Sequence, residues 1–469
     1  MKNKFVFAGL VAAGAAGLQS SFAEDAGLVS PKFWNVSGSL RGFYDDNYNI
    51  ANSGATKKGS TGGELVPTIT INQPFRQTDI NIRYTYGLYY YQDRQDLNLN
   101  ALDQTHQADV WLDHAFSERW KAQIKDTFTV GSMPELISPT TGTTYRIQGD
   151  NIANHATLGL DTEWTRLLST ALHYGNGIFD YQKGGATALD FLPAPPAPTS
   201  QLMVKGAGGV LTPSGPLVSG SGKSPANYAG ALNRLEQSIG LDLKWNVQPN
   251  TVAFVGYEFS WVNYTADAPI AAYRLSPLSN QYFIYHSADR DNVSHYAYLG
   301  LEHSFSTSVS GSVRGGASFT DSYNDPLHPN TSFAPYADMS LSYSYSPGSY
   351  IQLGFTHDIN ATDVATVSSS GHLTQYTETS VLYASINHRI TQKLSGSLIG
   401  RFQNSSYVGG SADNNSDQDY NVGVSLRYEI NRHFSLESGY NYDDLIGASA
   451  LTGRSYQRNR LYLGLAANF

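Results

Sequence analysis

The chain has 469 residues, with 30 Lys+Arg against 39 Asp+Glu for a net charge of −9, no cysteine, 44 Gly and 32 Tyr. The missing cysteines exclude disulfides, thiolate nucleophiles, Cys-ligated zinc and iron–sulfur clusters, and the acidic balance disfavours nucleic acid, whose phosphates need a basic patch. Only 15% of residues are charged, below the roughly 25% of an ordinary soluble domain, and the difference is made up by Gly, Tyr, Ser, Thr and Asn, which is poor material for a helical enzyme.

Lys2 and Lys4 precede an apolar, Gly/Ala-rich run from Phe5 to Leu18 and the small-x-small site Ser21-Phe22-Ala23, the three parts of a secretory signal peptide. The run is shorter than the roughly 20 residues of a spanning helix. Residues 1–23 therefore read as a cleaved leader rather than an anchor, 24–33 as a short periplasmic segment and 34–469 as one domain. No later window offers a long uncharged apolar helix, and an exported chain that crosses a membrane without one does so as a closed β-barrel.

Two-residue alternation recurs along the chain. Ile239, Leu241, Leu243 and Trp245 alternate with Ser238, Gly240, Asp242 and Lys244, and Val422, Val424 and Leu426 with Gly423, Ser425 and Arg427. In the last segment Leu461, Leu463, Leu465, Ala467 and Phe469 share one face. Connections are sorted by parity. Short turns fall near 73–76, 116–119, 165–166, 247–250, 305–307, 346–348, 389–392 and 431–433, while the alternate ones are long and polar, as in 45–63, 183–227, 266–292 and 404–418. Short turns at one rim and long loops at the other define an outer-membrane barrel rather than a soluble sandwich. Eight hairpins plus one segment at each end predict an all-β, transmembrane, antiparallel up-and-down barrel of about 16 to 18 strands with both termini at the periplasmic rim. About ten residues before the first strand leave no room for an N-terminal plug of the kind found in 22-stranded transporters.

The opening Asn35-Val36-Ser37-Gly38-Ser39-Leu40-Arg41 with Tyr44-Asp45-Asp46-Asn47, then Asp289-Arg290-Asp291, then Tyr456-Gln457-Arg458-Asn459 resemble blocks of the putative β-barrel porin family, second type. The ending Leu463-x-Leu465-x-Ala467-x-Phe469 resembles the signal read by the outer-membrane barrel-assembly machinery. The resemblance spans nearly the whole expected mature chain through short motifs. It implies an outer-membrane barrel in a Gram-negative-type envelope, assembled with Phe469 as its signal, and deleting Phe469 is expected to lower outer-membrane yield. It carries no catalytic residues. Some relatives occur in exopolysaccharide or exosortase contexts, which implies polymer export as an alternative.

With the apolar face on lipid and lipopolysaccharide, the opposite face lines the interior. Parity selects Arg41, Arg83, Asp109, Asp113, Lys121, Lys125, Asp161, Glu163, Asp242, Lys244, Glu258, Glu302, Arg314, Arg401, Arg427, Glu429 and Arg460 as pore-lining candidates, with Asp79, Asp338 and Glu437 further acids on that face. Either these charges make a field across a hydrated passage, with a mild acidic excess favouring cations, or they satisfy one another, as Asp242 with Lys244 or Arg427 with Glu429. Asp126 falls on the lipid face with Ala122, Ile124 and Phe128, so a bulge shifts the register or the strand has left the hydrocarbon zone; the second is the expectation.

Tyr84, Tyr86, Tyr89, Tyr90 and Tyr91 read as an interfacial girdle, and Trp111, Tyr296, Tyr298, Tyr383 and Tyr462 form an alternative sugar-stacking track inside. The 183–227 connection joins a stiff Pro-rich stretch to a flexible Gly/Ser stretch, and its composition leaves open whether it folds inward. Asp413 to Asp419 resembles a calcium loop but lacks the Gly at position six and the Glu at twelve, so loose divalent or lipopolysaccharide contact is the most it offers. No G-x-S-x-G, H-E-x-x-H, P-loop or dinucleotide fingerprint stands in context. The reading is a non-enzymatic, cofactor-free channel for small hydrophilic solutes. An export-associated or structural barrel closed by its loops is the first alternative and a barrel-embedded surface hydrolase the second. A homo-oligomer is compatible, although no lipid-facing patch marks an interface.

Overall fold

The computed structural model describes residues 33–52, 56–97, 101–131, 151–182, 184–195, 197–206, 209–221, 228–451 and 453–469; the expected leader lies outside them. Among the described residues twenty-two strands follow in chain order. They begin with β1 (Trp34–Asp45), β2 (Ser60–Pro74), β3 (Thr78–Tyr91), β4 (Leu102–Ala115), β5 (Trp120–Gly131), β6 (Asn151–Glu163) and β7 (Leu168–Tyr181). The short β8 (Gln201–Lys205) and β9 (Leu211–Pro213) precede β10 (Arg234–Gln248) and β11 (Thr251–Tyr264), and the short β12 (Pro269–Arg274) and β13 (Gln281–His286) precede β14 (Asn292–Ser304). The chain continues through β15 (Val309–Ser322), β16 (Asn330–Ser346), β17 (Ser349–Asn360), β18 (Tyr376–Arg389), β19 (Leu394–Val408), β20 (Ser416–Glu429), β21 (Phe434–Ile446) and β22 (Tyr456–Asn468).

Eighteen of these form one antiparallel sheet in which each strand pairs with its neighbours along the chain and β22 returns to β1, from Ser37 opposite Asn468 to Asp45 opposite Arg460. The sheet closes, so no edge is left for another strand. Both ends of the barrel lie at the short-turn rim, where Phe469 exchanges main-chain hydrogen bonds with Val36 at 2.9 and 3.2 Å. The strand count is 18, with the first strand and the turn after Pro74 both present.

The outer face is the apolar one: Leu40, Leu241, Leu299, Leu382, Leu461 and Leu463 are all exposed, as a lipid-facing row is in the absence of lipid. Aromatic–histidine ring contacts mark its limits. At the short-turn rim His114 meets Phe116 and His303 meets Phe305 edge to face, each at 4.5 Å. Farther up, His106 meets Tyr86 at 5.1 Å and His295 meets Phe259 at 5.0 Å. On both β4 and β14 the two histidines are eight residues apart. At about 3.3 Å per residue and a tilt of about 40° that is roughly 20 Å of height, close to the ~25 Å apolar band of an outer-membrane barrel.

Asp126 lies inside that band. It is opposite Val110, midway between His106 and His114, and neither of its ladders shifts register. The expectation that its strand has left the hydrocarbon zone is therefore corrected, and so is the bulge. The carboxylate is instead met by Asn154 Nδ2 at 2.8 Å on the same outer face.

The long loops also differ from the polar connections expected. The four short strands form a second sheet in the order β12-β13-β8-β9, with β13 and β8 parallel, so the 182–233 and 265–291 connections fold together. Ile270, Ala271, Phe283, Tyr285 and Leu373 form one core beneath it, and Leu192, Tyr282 and Ile284 another.

Candidate functional site

Inside the barrel, side chains meet across an intervening strand at several places where that strand offers a glycine. Asp242 on β10, Gly256 on β11 and Tyr298 on β14 are in register, and the Tyr298 hydroxyl donates to Asp242 Oδ1 at 2.7 Å over Gly256. His173, Gly240 and Glu258 repeat the arrangement on β7, β10 and β11, with His173 Nε2 3.0 Å from Glu258 Oε2. Arg41 crosses Gly464 to donate to Glu437 Oε2 at 2.8 Å, and Arg314 crosses Gly300 to sit 5.2 Å from the Phe254 ring. A Cβ on Gly240, Gly256 or Gly300 would collide with the side chain lying over it. The small residue is thus what lets the wall join sideways.

These contacts place most of the predicted lining charges. Arg41 and Arg460 share Glu64 at 3.0 and 3.1 Å, and Arg83 holds Asp109 at 2.9 Å. Asp109 also accepts from Gln107 and Thr127, and Asp113 accepts from Gln123 at 2.7 Å. Arg401 stands 3.7 Å from Asp419, and Lys244 reaches Asp161 at 3.9 Å. The expected Asp242 with Lys244 pairing is replaced by Tyr298 on Asp242 and Asp161 on Lys244. Arg427, Lys125 and Glu302 are half-buried, while Lys121, Glu163 and Glu429 are exposed.

The sugar-stacking track is not assembled as expected: Arg83 covers Trp111 and Arg41 covers Tyr462, each 5.0 Å from the ring centre, and Tyr298 is buried. Tyr89 and Tyr91 are also buried, in a cluster with Phe43 and Tyr48, so only the alternate tyrosines Tyr84, Tyr86 and Tyr90 face outward with the girdle.

Burial rises towards the long loops over much of the wall, although Ser435 and Glu437 near the short turn before β21 are buried as well. Towards the long loops Gln403, Asp419, Thr320, Ser318 and Asn151 are all within 2% of full burial, whereas Asp79, Asp113, Lys121, Asp161 and Glu163 near the short turns are exposed. The covering groups come from the loops. Ala231 and Leu232, on the short helix α1 (Tyr228–Leu232), pack on the inward-facing Phe179 and Tyr181 of β7. Ile50 packs on Leu445 and Tyr456, and Val364 on Tyr407. The described end of the 182–233 connection therefore folds inward; residues 222–227 lie outside the described residues. Between the 361–363 loop segment and the wall residues Gln403, Ser405 and Asp419 a cavity of about 10 Å³ remains, room for about one water.

Arg290, fully buried, binds this mouth together. Its guanidinium donates to the carbonyls of Thr362 at 2.9 Å and Gln375 at 3.1 Å, both in the 361–375 connection, and of Ala231 at 3.2 Å in the 182–233 connection, so that with its own 265–291 connection it joins three. Gln375 Nε2 in turn donates to Asp325. Burial pushes the neighbouring Asp289 carboxyl up to about 7, against the hydrogen bond it takes from the His286 N–H and with Asp325, Asp291 and Asp267 adding to the rise. Sequence reasoning noted Arg290 only within the Asp289-Arg290-Asp291 motif and missed its role, because its partners are main-chain carbonyls, which leave no trace in side-chain pattern. The Asp413–Asp419 stretch is committed elsewhere: Asp413 accepts from the Gly409 N–H, and Asp417 is held by Arg454 and Tyr407. Among the described residues no group of three or more His, Cys, Asp or Glu is placed to hold a metal ion.

A closed 18-stranded antiparallel barrel with a polar interior, an apolar girdled exterior and short turns at one rim defines an outer-membrane-type β-barrel of the porin class. Residues 231–469 match the family described as Putative beta-barrel porin 2, and the chain belongs to that family. Among solved structures the chain is similar to OccK9 (OpdG) of Pseudomonas aeruginosa, at 10% identity over 93% of this chain and 98% of that one with a TM-score of 0.43. It is also similar to OccAB4 of Acinetobacter baumannii, at 9% identity over 93% and 99% with a TM-score of 0.39. The siderophore receptor PiuA of Acinetobacter baumannii shares 10% identity over 94% and 82%, with a TM-score of 0.45. No curated protein matches the chain.

Proposed function

We propose that this barrel sits in the outer membrane as a passive, non-enzymatic and cofactor-free channel for small hydrophilic solutes, with the predicted lining charges facing the path. The observation that carries the reading is the inward wall itself: paired charges such as Arg83 with Asp109 and Lys244 with Asp161 keep the interior polar without a dominant sign. Solutes enter the open short-turn half freely, and the folded loops restrict the other half. In this reading residues 1–23 are removed on export, and Phe469, which stacks on His433 at 5.3 Å, serves the assembly machinery. Liposomes containing the refolded protein should swell in isotonic small sugars faster than protein-free liposomes; equal rates would contradict the open-channel form.

The burial of the long-loop half favours a second reading, a barrel closed by its loops until a polymer or partner opens it. Swelling that appears only after residues 184–227 are deleted would select it.

A further inference from the structure

The short-turn rim carries a feature that the channel reading does not use. Three consecutive turns, 347–348, 390–393 and 430–433, enclose an open depression of about 700 Å³ whose lining includes Arg389, Lys393, Arg432 and Glu429, with the polar groups of Thr391 and Gln392 between them. Arg389 Nη2 donates to the Gln392 carbonyl at 3.0 Å and Lys393 Nζ to the Ile430 carbonyl at 3.3 Å. These bonds hold the side chains at the hollow and leave the positive charges unneutralised. Among the described residues none of the three cations is within ion-pair distance of a carboxylate. The contrast with the interior is sharp, since Arg41, Arg83, Arg401, Arg458 and Arg460 each face an acid. Two other turns at this rim pair a base with an acid in sequence: Glu118 stands beside Arg119, and Glu163 shares a turn with Arg166.

Two guanidinium groups and one ammonium lining a hollow, against a single carboxylate, match an anion with several equivalent oxygens. Arginine supplies paired donors in a plane and lysine a compact charge, and a concave surface of one sign raises the local concentration of counter-ions. We propose that this hollow is a binding site for a phosphate-type anion at the short-turn mouth of the barrel. Two sources have this chemistry: a soluble phosphorylated solute, or the headgroup phosphate of a lipid at the rim. The site does not depend on whether the barrel conducts.

The test is calorimetric titration of the full refolded protein, in a non-ionic detergent, with tripolyphosphate. Wild type is expected to bind saturably and more weakly as salt rises. The R389Q/K393Q/R432Q variant is expected to lose at least tenfold in affinity, and E429Q to gain severalfold. All four side chains are exposed, Lys393 and Arg432 in turns and Arg389 and Glu429 at the ends of β18 and β20, and heat-modifiable gel migration checks that the barrel remains folded; E429Q keeps the test decisive should the triple variant fail to assemble. Repeating the titration in nanodiscs of phosphatidylcholine, with and without phosphatidylglycerol, separates the sources. Competition by phosphatidylglycerol identifies a headgroup site, and unchanged tripolyphosphate binding identifies a soluble ligand. No binding in either setting, or equal binding by wild type, triple variant and E429Q, overturns the proposal.

Discussion

Tyr298 and Asp242 stand two strands apart, and the hydroxyl of one reaches the carboxylate of the other at 2.7 Å because Gly256 lies between them without a side chain. The barrel wall is tied in this way at several places, so its interior behaves as a packed surface rather than as independent strands.

Adding a methyl group at Gly256 should therefore loosen the wall. A Cβ there meets both the Tyr298 ring and the Asp242 carboxylate, whereas at the outward Gly315 it meets nothing within 4 Å. G256A is expected to cost about 1–3 kcal/mol, the usual range for overpacking, and to lower the temperature at which the barrel loses its folded gel mobility. G315A should leave that temperature unchanged.

Arg290 ties together the loop mouth. Hydrogen bonds from a charged donor contribute about 1.5–3 kcal/mol each, and R290A would leave the carbonyls of Thr362, Gln375 and Ala231 buried without it. The barrel strands should still form. Amides in 268–291 and 361–375 should exchange with deuterium at least tenfold faster than in wild type, with strand amides unaffected.

The same mouth should respond to pH. The Asp289 carboxyl is pushed up to about 7, so the folded mouth holds a proton that the released loop gives up near pH 4. Its stabilising contribution is complete below the unfolded value and is lost as pH rises through about 7. Exchange of amides in 268–290, corrected for the intrinsic pH effect, should therefore quicken between pH 5 and 8 in wild type. D289N should flatten that dependence.

Asp126 and Asn154 place a polar pair in the middle of the apolar band. An acidic side chain there costs less than the about 2–4 kcal/mol of a basic one, and the bond between the two offsets part of it. Replacing both, as D126L/N154L, should raise the unfolding temperature in phospholipid vesicles above that of wild type. N154L alone should lower it, because the carboxylate then faces lipid without a donor.

Much of this architecture was legible in the sequence. The row Leu461, Leu463 and Leu465 and the parity of short and long connections carry the barrel, because lipid on one side and water on the other impose a strict two-residue code. Parity gives only the side of the wall, however, not the neighbour. It pairs Asp242 with the nearby Lys244, whereas the structure brings Tyr298 to it from two strands away, a relation signalled only by the facing glycine. Tyr89 and Tyr91 were misread by proximity to Tyr84, Tyr86 and Tyr90, although alternation alone puts them on the inner face. The mouth was least legible. Gln281 to His286 is an apolar strand within a connection whose overall composition is polar, and the Arg290 bonds engage carbonyls that every residue possesses.

The most direct test of the account is single-channel conductance of the refolded full barrel in planar bilayers, comparing wild type with R290A and with a deletion of residues 184–227. A restricted mouth predicts a small, mildly cation-selective conductance in wild type that rises severalfold in both variants. A large and steady wild-type conductance that neither change alters would contradict the loop mouth, and silence from all three would contradict the channel.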